Sequence, residues 1–251
     1  MKIMITAPKG KMGRLILKAA AENDKLDIVG ALGPAGRDYI GQDAGRAAGF
    51  GFDAGVPVSD ALEELIARCD AVIDFSTVEL SMAVLDAALR HKKALVCGTT
   101  GFSEEQLAAI SEASASIPLL HASNTSYVVS LMYRLLALAA GNLAGRADID
   151  IIDMHDRQKK DAPSGTAKEM ASVIAEALGG DSAGDAIRFH SIRSGNISSS
   201  HSVIFGCMGE RLEITHHAYD WECFAKGACD AALFLDGRGP GLYSMQDVVR
   251  V

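Results

Sequence analysis

Between residues 2 and 121 the chain alternates short apolar runs with longer helix-forming stretches, and this alternation leaves few folds open. Lys2–Thr6, Asp27–Leu32, Ala71–Phe75, Ala94–Cys97 and Ile117–His121 read as strands, with Leu15–Ala21, Asp60–Arg68 and Ser103–Ser114 as helices. Strands that alternate with helices at this spacing pair in parallel, because the chain must cross over before the next strand starts. The expectation is a parallel sheet with helices on both faces.

After about residue 122 the pattern changes. A long apolar helix spans Val128–Leu143, a strand Ile149–Asp153 and a further helix Ala167–Leu178. Ile192–Asn196, Val203–Phe205 and Gly209–His216 then read as antiparallel strands. A last helix, about Cys223–Phe234, is expected to return to the first domain. The boundaries that follow are 1–122 with 222–251 for one domain and 123–221 for the other. The fold class is α/β: a Rossmann-type parallel-sheet domain plus an α+β domain.

Composition narrows the function classes. With 49% hydrophobic residues and 6 prolines in 251 residues, the chain can bury a substantial core. No apolar run reaches a membrane span, and Met1-Lys2 leads into the short run Ile3–Ile5, so a cytoplasmic protein is expected. A net charge of -8 argues against nucleic acid but leaves room for a local basic pocket that takes a small anionic metabolite. The 5 cysteines, Cys69, Cys97, Cys207, Cys223 and Cys229, lack zinc spacing and have mostly apolar neighbours. They are expected to be buried thiols, with neither bridges nor metal.

The first strand runs into Ala7-Pro8-Lys9-Gly10-Lys11-Met12-Gly13-Arg14 and then a helix. A glycine turn opening a helix leaves backbone N–H groups for a pyrophosphate, so Ala7, Gly10, Lys11, Met12 and Gly13 are candidate cofactor contacts; an ordinary strand–helix turn is the alternative. The second strand ends in Leu32-Gly33-Pro34, without the carboxylate that accepts bonds from an adenosine ribose. Lys9, Lys11 and Arg37 stand near enough in sequence to meet a 2′-phosphate, which favours NADPH and leaves NADH as an alternative; the cations could instead be solvated surface.

Six stretches together resemble the 4-hydroxy-tetrahydrodipicolinate (dihydrodipicolinate) reductases of bacterial lysine and diaminopimelate synthesis. They are Gly10–Arg14, Ile73–Ser76, Gly98–Phe102, Ser123–Ser126, His155–Thr166 and Gly209–His216, and they run nearly end to end. The resemblance implies a two-domain reductase whose second domain has an open-faced sheet that builds a homotetramer. It places Phe75, Gly98, Thr99, Thr100 and Asn124 with the cofactor, and His155–Thr166 at the substrate.

The substrate so implied is a small ring with two carboxylates and an unsaturated C–N unit, whose reduction needs a hydride and a proton. Lys159 can hold one carboxylate, while Ser164, Gly165 and Thr166, opening a helix, can hold the other. His155 is the expected proton donor, with a structural histidine as the alternative reading. Arg157 and Lys160 are expected on the surface, Asp161 to orient the turn, and His91, His121, His216 and His217 to be structural.

This sequence departs from the family pattern at His155-Asp156, Arg157-Gln158-Lys159, Asn124-Thr125-Ser126, Val128-Val129-Ser130, the shortened 179–193 stretch and Trp221. Asp156 is expected to raise the pKa of His155 if their side chains approach. Two alternatives accompany the reductase reading: a paralogue reducing another cyclic imine or conjugated substrate, and a nucleotide-binding sensor without catalysis.

Overall fold

In the computed structural model, residues 1–180 and 187–249 are described, and part of the 179–193 stretch lies outside them. The chain divides into two compact units, Met1–Ser126 with Glu222–Val251, and Tyr127–Trp221.

The first unit carries β1 (Lys2–Thr6), α1 (Lys11–Ala21), β2 (Asp27–Leu32), α2 (Ala44–Ala47), β3 (Val58–Ser59), α3 (Leu62–Arg68) and β4 (Ala71–Asp74). It continues with α4 (Val78–His91), β5 (Ala94–Cys97), α5 (Glu104–Ala113) and β6 (Pro118–His121), and closes with α8 (Glu222–Leu235), β11 (Gly241–Tyr243) and α9 (Met245–Val248). Seven parallel strands follow the order β11-β6-β5-β4-β1-β2-β3, so the strand order reverses between β4 and β1. A crevice opens at the carboxyl ends of such strands, where the crossovers diverge to opposite faces.

Alternate residues of each strand serve opposite faces. Ile3, Ile5, Ile73 and Val96 pack with Ile16 and Leu17 of α1 and with Ala225, Ala228 and Ala232 of α8. Met4, Val72 and Leu95 pack with Leu65 and Ile66 of α3 and with Val84 and Leu85 of α4. Each such large side chain contributes about 1.5–3 kcal/mol on burial. The two-residue β3 and the three-residue β11 are additions, too short to carry a periodic signal; β3 exists because the edge of β2 offers Ala31 and Leu32 for pairing.

The second unit consists of α6 (Tyr127–Leu143), β7 (Asp148–His155), α7 (Gly165–Ala177), β8 (Ile187–Arg193), β9 (Ser199–Cys207) and β10 (Glu210–Ala218). Its sheet has the order β10-β9-β7-β8. β9 pairs antiparallel with both neighbours, but β8 runs parallel to β7, which corrects the expectation of antiparallel strands throughout. The reason is topological: α7 carries the chain back before β8 begins, as in any parallel crossover. Ser194–Asn196 is turn rather than strand, with Gly195 at φ 53, and β10 runs past His216 to Ala218. Val129, Met132 and Leu136 of α6 and Met170 and Ile174 of α7 cover Ile149, Ile151, Val203 and Phe205. Among the described residues no helix is long and apolar enough to cross a membrane.

Candidate active site

The first unit presents a cavity of about 780 Å³ at the carboxyl ends of its strands, a size that suits a cofactor. Ala7, Gly10, Lys11, Met12, Phe75, Gly98, Thr99 and Thr100 line it. Gly13 and Asn124 lie outside that lining: Gly13 is buried beneath the turn, and Asn124 Oδ1 accepts from the Ser126 N–H at 2.9 Å.

The turn is built by close backbone approach. Ala7 has a φ of 48, and its carbonyl accepts from the Gly10 N–H at 2.8 Å. A Cβ on Gly13 would stand 2.1 Å from that carbonyl oxygen, so only glycine fits there. No side chain caps α1 and its first turn has no acidic residue, which suits it to a phosphate. The cradle therefore fits a dinucleotide.

Gly33 has a packing reason to lack a side chain: a Cβ there would lie 2.9 Å from Val58 Cγ1 and 3.0 Å from the Tyr39 ring. Lys9 is placed 4.9 Å from the centroid of the Tyr39 ring and 3.9 Å from Asp38 Oδ1. Asp38 thus brings a carboxylate to this end of the turn from beyond the end of β2.

At the other end, Gly98 makes room for Phe75, since a Cβ there would fall 2.1 Å from the ring. Behind Phe75 the Asp74 carboxylate is fully buried and accepts hydroxyl hydrogen bonds from Thr6, Ser76, Ser81 and Thr99. The same hydroxyls hold the wall, as Thr6 Oγ1 accepts from the Phe75 N–H and Thr99 Oγ1 from the Ser76 N–H.

The second unit gathers His155, Lys159 and Ser164–Thr166 through one strand, loop and helix. Ile149, Ile151, Asp153 and His155 alternate inward along β7, so the strand's last two core positions are polar. His155 Nδ1 is 3.3 Å from Asp153 Oδ2, off the line of a hydrogen bond, and its Nε2 is 3.3 Å from Ser199 Oγ. Its ring meets His201 edge to face at 5.2 Å. Burial first, then the charge of Lys159, holds the His155 pKa below the ordinary imidazole value despite Asp153.

The expectation that Asp156 raises this pKa is therefore corrected. Its carboxylate accepts from the Gln158 N–H at 2.7 Å, and the carboxylate facing His155 is Asp153. Burial opposes ionisation of Asp153, but hydrogen bonds from Ser191 and from Arg193, at 2.9 Å, together with the Arg193 charge and the Ser164 N–H, hold it low.

Lys159 Nζ pairs with Asp161 at 2.9 Å. Arg157 and Lys160 are exposed, as read from sequence. Ser164 caps α7, its Oγ accepting from the Ala167 N–H at 3.2 Å and lying 3.2 Å from His201 Nε2, and only 2% of the residue is exposed. Its hydroxyl is engaged in the fold, whereas Gly165 is exposed and Thr166 half-buried, on a first turn without acidic residues. Sequence reasoning passed over Asp74, Asp153, Arg193 and His201. For Asp74 and Asp153 a signal existed: each is a carboxylate at a core position ending an apolar strand.

The family model described as dihydrodipicolinate reductase, N-terminus, matches residues 1–125, and its C-terminal counterpart matches 128–249. The chain belongs to the dihydrodipicolinate reductase family. Full-length relatives named 4-hydroxy-tetrahydrodipicolinate reductase include those of Burkholderia vietnamiensis, 40% identical over 99% of each chain, and Hahella chejuensis, 40% identical over 99% of this chain and 98% of that one. A dipicolinate-bound dihydrodipicolinate reductase from Paenisporosarcina sp. TG-14 superposes with a TM-score of 0.80 at 26% identity, over 100% of this chain and 99% of the other. A probable dehydrogenase from Thermotoga maritima shares the fold alone, with a TM-score of 0.65 at 13% identity over 99% of this chain and 92% of that one. This dihydrodipicolinate reductase family member is an NAD(P)H-dependent oxidoreductase.

Proposed function

We propose that the enzyme reduces 4-hydroxy-tetrahydrodipicolinate to tetrahydrodipicolinate in lysine and diaminopimelate biosynthesis. The observation that carries this reading is that β7, the 156–164 loop and α7 bring an imidazole, an ammonium and an open helix start into one short segment. Relatives bearing the reductase name match nearly the whole chain, which supports it. Asp156 does not argue against a dianionic substrate, because its carboxylate is already turned to a backbone N–H.

A bound dihydronicotinamide supplies the hydride. Lys159 leaves Asp161 to hold one substrate carboxylate, and the backbone N–H groups at Gly165 and Thr166 hold the other. His155 delivers the proton. Asp153 steadies its charged form, while burial and Lys159 make that form a ready donor. NADPH is the preferred reductant, since β2 ends without a carboxylate and Lys9, Lys11 and Arg37 are near enough in sequence to meet a 2′-phosphate; Asp38, paired with Lys9, acts in the opposite sense. The proposed assembly is a cytoplasmic homotetramer, supported by the exposed Phe189, Ile192 and Leu212 on the sheet's edge strands β8 and β10.

NADPH oxidation with freshly generated 4-hydroxy-tetrahydrodipicolinate, beside a panel of other cyclic imines, tests the reading. Turnover on the first substrate, cut by roughly 10²–10⁴-fold in His155→Gln with cofactor affinity retained, is expected. Background rates on that substrate with turnover of another imine would overturn it. Lys159→Ala should likewise lower turnover and substrate affinity while leaving NADPH binding nearly intact.

A further inference from the structure

The carboxylate of Asp74 has an unusual set of partners. All four hydrogen bonds it receives come from neutral hydroxyls: Thr6 at 2.7 Å, Ser76 at 2.6 Å, Thr99 at 3.2 Å, and Ser81. Two donors meet each oxygen, a set that matches the acceptor-only character of an ionised carboxylate. Among the described residues no cation pairs with it. A full negative charge is thus held out of water by dipoles alone, a costly arrangement that an apolar group at this strand end would avoid.

Its position suggests what the charge does. In a sheet whose order reverses beside β1, a dinucleotide lays its pyrophosphate on the β1–α1 turn and its adenosine toward β2, so the nicotinamide half falls at β4 and β5. Asp74 ends β4; its neighbours Phe75 and Ser76, and its partner Thr99 after β5, form the cavity wall there. Two other charged side chains line the cavity, Lys11 and Glu79, but both residues are exposed and screened by solvent, whereas Asp74 is not.

We propose that Asp74 is a positioning residue that acts electrostatically: its buried charge favours the oxidised, cationic nicotinamide over the neutral reduced ring, and so drives hydride out of the cofactor. The inference rests on the dinucleotide reading of this cavity. When the reduced ring gives up a hydride, one proton and two electrons leave together and the ring gains one positive charge; the substrate takes the hydride and a separate proton. A fixed negative charge behind the ring interacts more favourably after that step than before it.

The test compares affinities rather than rates. NADPH is titrated by its fluorescence and NADP⁺ by displacement, in the wild-type protein and in Asp74→Asn. A merely structural carboxylate would weaken both forms alike. The expected result is that Asp74→Asn loses about tenfold more affinity for NADP⁺ than for NADPH, corresponding to about 1.4 kcal/mol. Equal losses, or a larger loss for NADPH, would overturn the assignment while leaving the cofactor reading in place; a wild-type protein that binds neither form would overturn both. Ser81→Ala supplies a second measurement if the Asn variant fails to fold. It keeps the charge but removes one O–H dipole that masks it, so NADP⁺ affinity should rise about twofold relative to NADPH. An unchanged or lowered ratio would count against Asp74.

Discussion

Ala7 occupies a backbone region that L residues rarely adopt, with φ 48, in a turn where glycine is the usual occupant. The left-handed conformation costs an alanine roughly 1–2 kcal/mol, and a glycine there would forfeit about 0.4–1 kcal/mol through the freer unfolded chain. Ala7→Gly should therefore stabilise the enzyme by up to about 1.5 kcal/mol, read as a rise of a few degrees in thermal midpoint; a fall would show that the methyl group packs favourably. Gly98 obeys the opposite constraint. In Gly98→Ala the new methyl would have to displace the Phe75 ring, so NADPH affinity should fall while far-UV circular dichroism stays unchanged. Both residues act through space that one methyl group either strains or fills.

At the scale of elements, the first turn of α7 does two jobs. Ser164 accepts from the Ala167 N–H and meets His201, while the same turn offers Gly165 and Thr166 outward. Removing the cap costs about 1 kcal/mol, and a buried imidazole nitrogen left without its partner adds about 1–3 kcal/mol. Ser164→Ala should therefore lower stability by about 2 kcal/mol or more in urea unfolding. A loss of a few tenths would mean that His201 finds another partner. The strand before it is tied in as firmly: Asp153 joins β7 to β8 through Ser191 and Arg193 and to the α7 cap through the Ser164 N–H.

Over the whole molecule, pH enters through imidazoles folded in their neutral form. Burial pushes His121, His155 and His216 below the ordinary value and His201 down to about 3. The unfolded chain takes up protons near pH 6.5, ahead of the native state, so the stability these groups contribute is complete above about pH 6.5 and is lost as pH falls toward their folded values. In Asp43, Asp150 and Asp153 burial opposes ionisation, but hydrogen bonds outweigh it and hold the carboxyls low, adding losses of the same sign at more acid pH. Urea midpoints should accordingly drop steadily from pH 7 to pH 4.5, and His201→Gln should flatten part of that slope. A midpoint independent of pH across this window would contradict the burial of neutral imidazoles.

The parallel sheet and the placement of the glycine turn were legible in the sequence alone, because strand periodicity, helix composition and a Gly-opened helix are properties of neighbouring residues. The sequence also carried the family likeness, since the Gly10–Arg14, Gly98–Phe102 and His155–Thr166 stretches are local. What it could not supply were facts about residues far apart in the chain. That β8 runs parallel to β7, that Gly33 is glycine because Val58 and Tyr39 crowd it, and that His155 faces Asp153 and His201 rather than Asp156 follow only from packing. Asp74 makes the same point: its charge is written in the sequence, but that four hydroxyls from separate segments would seal it behind the cavity wall was decided by the fold. Hydrogen-bond partners and burial set a side chain's chemistry, and both are made by contacts that local pattern does not encode.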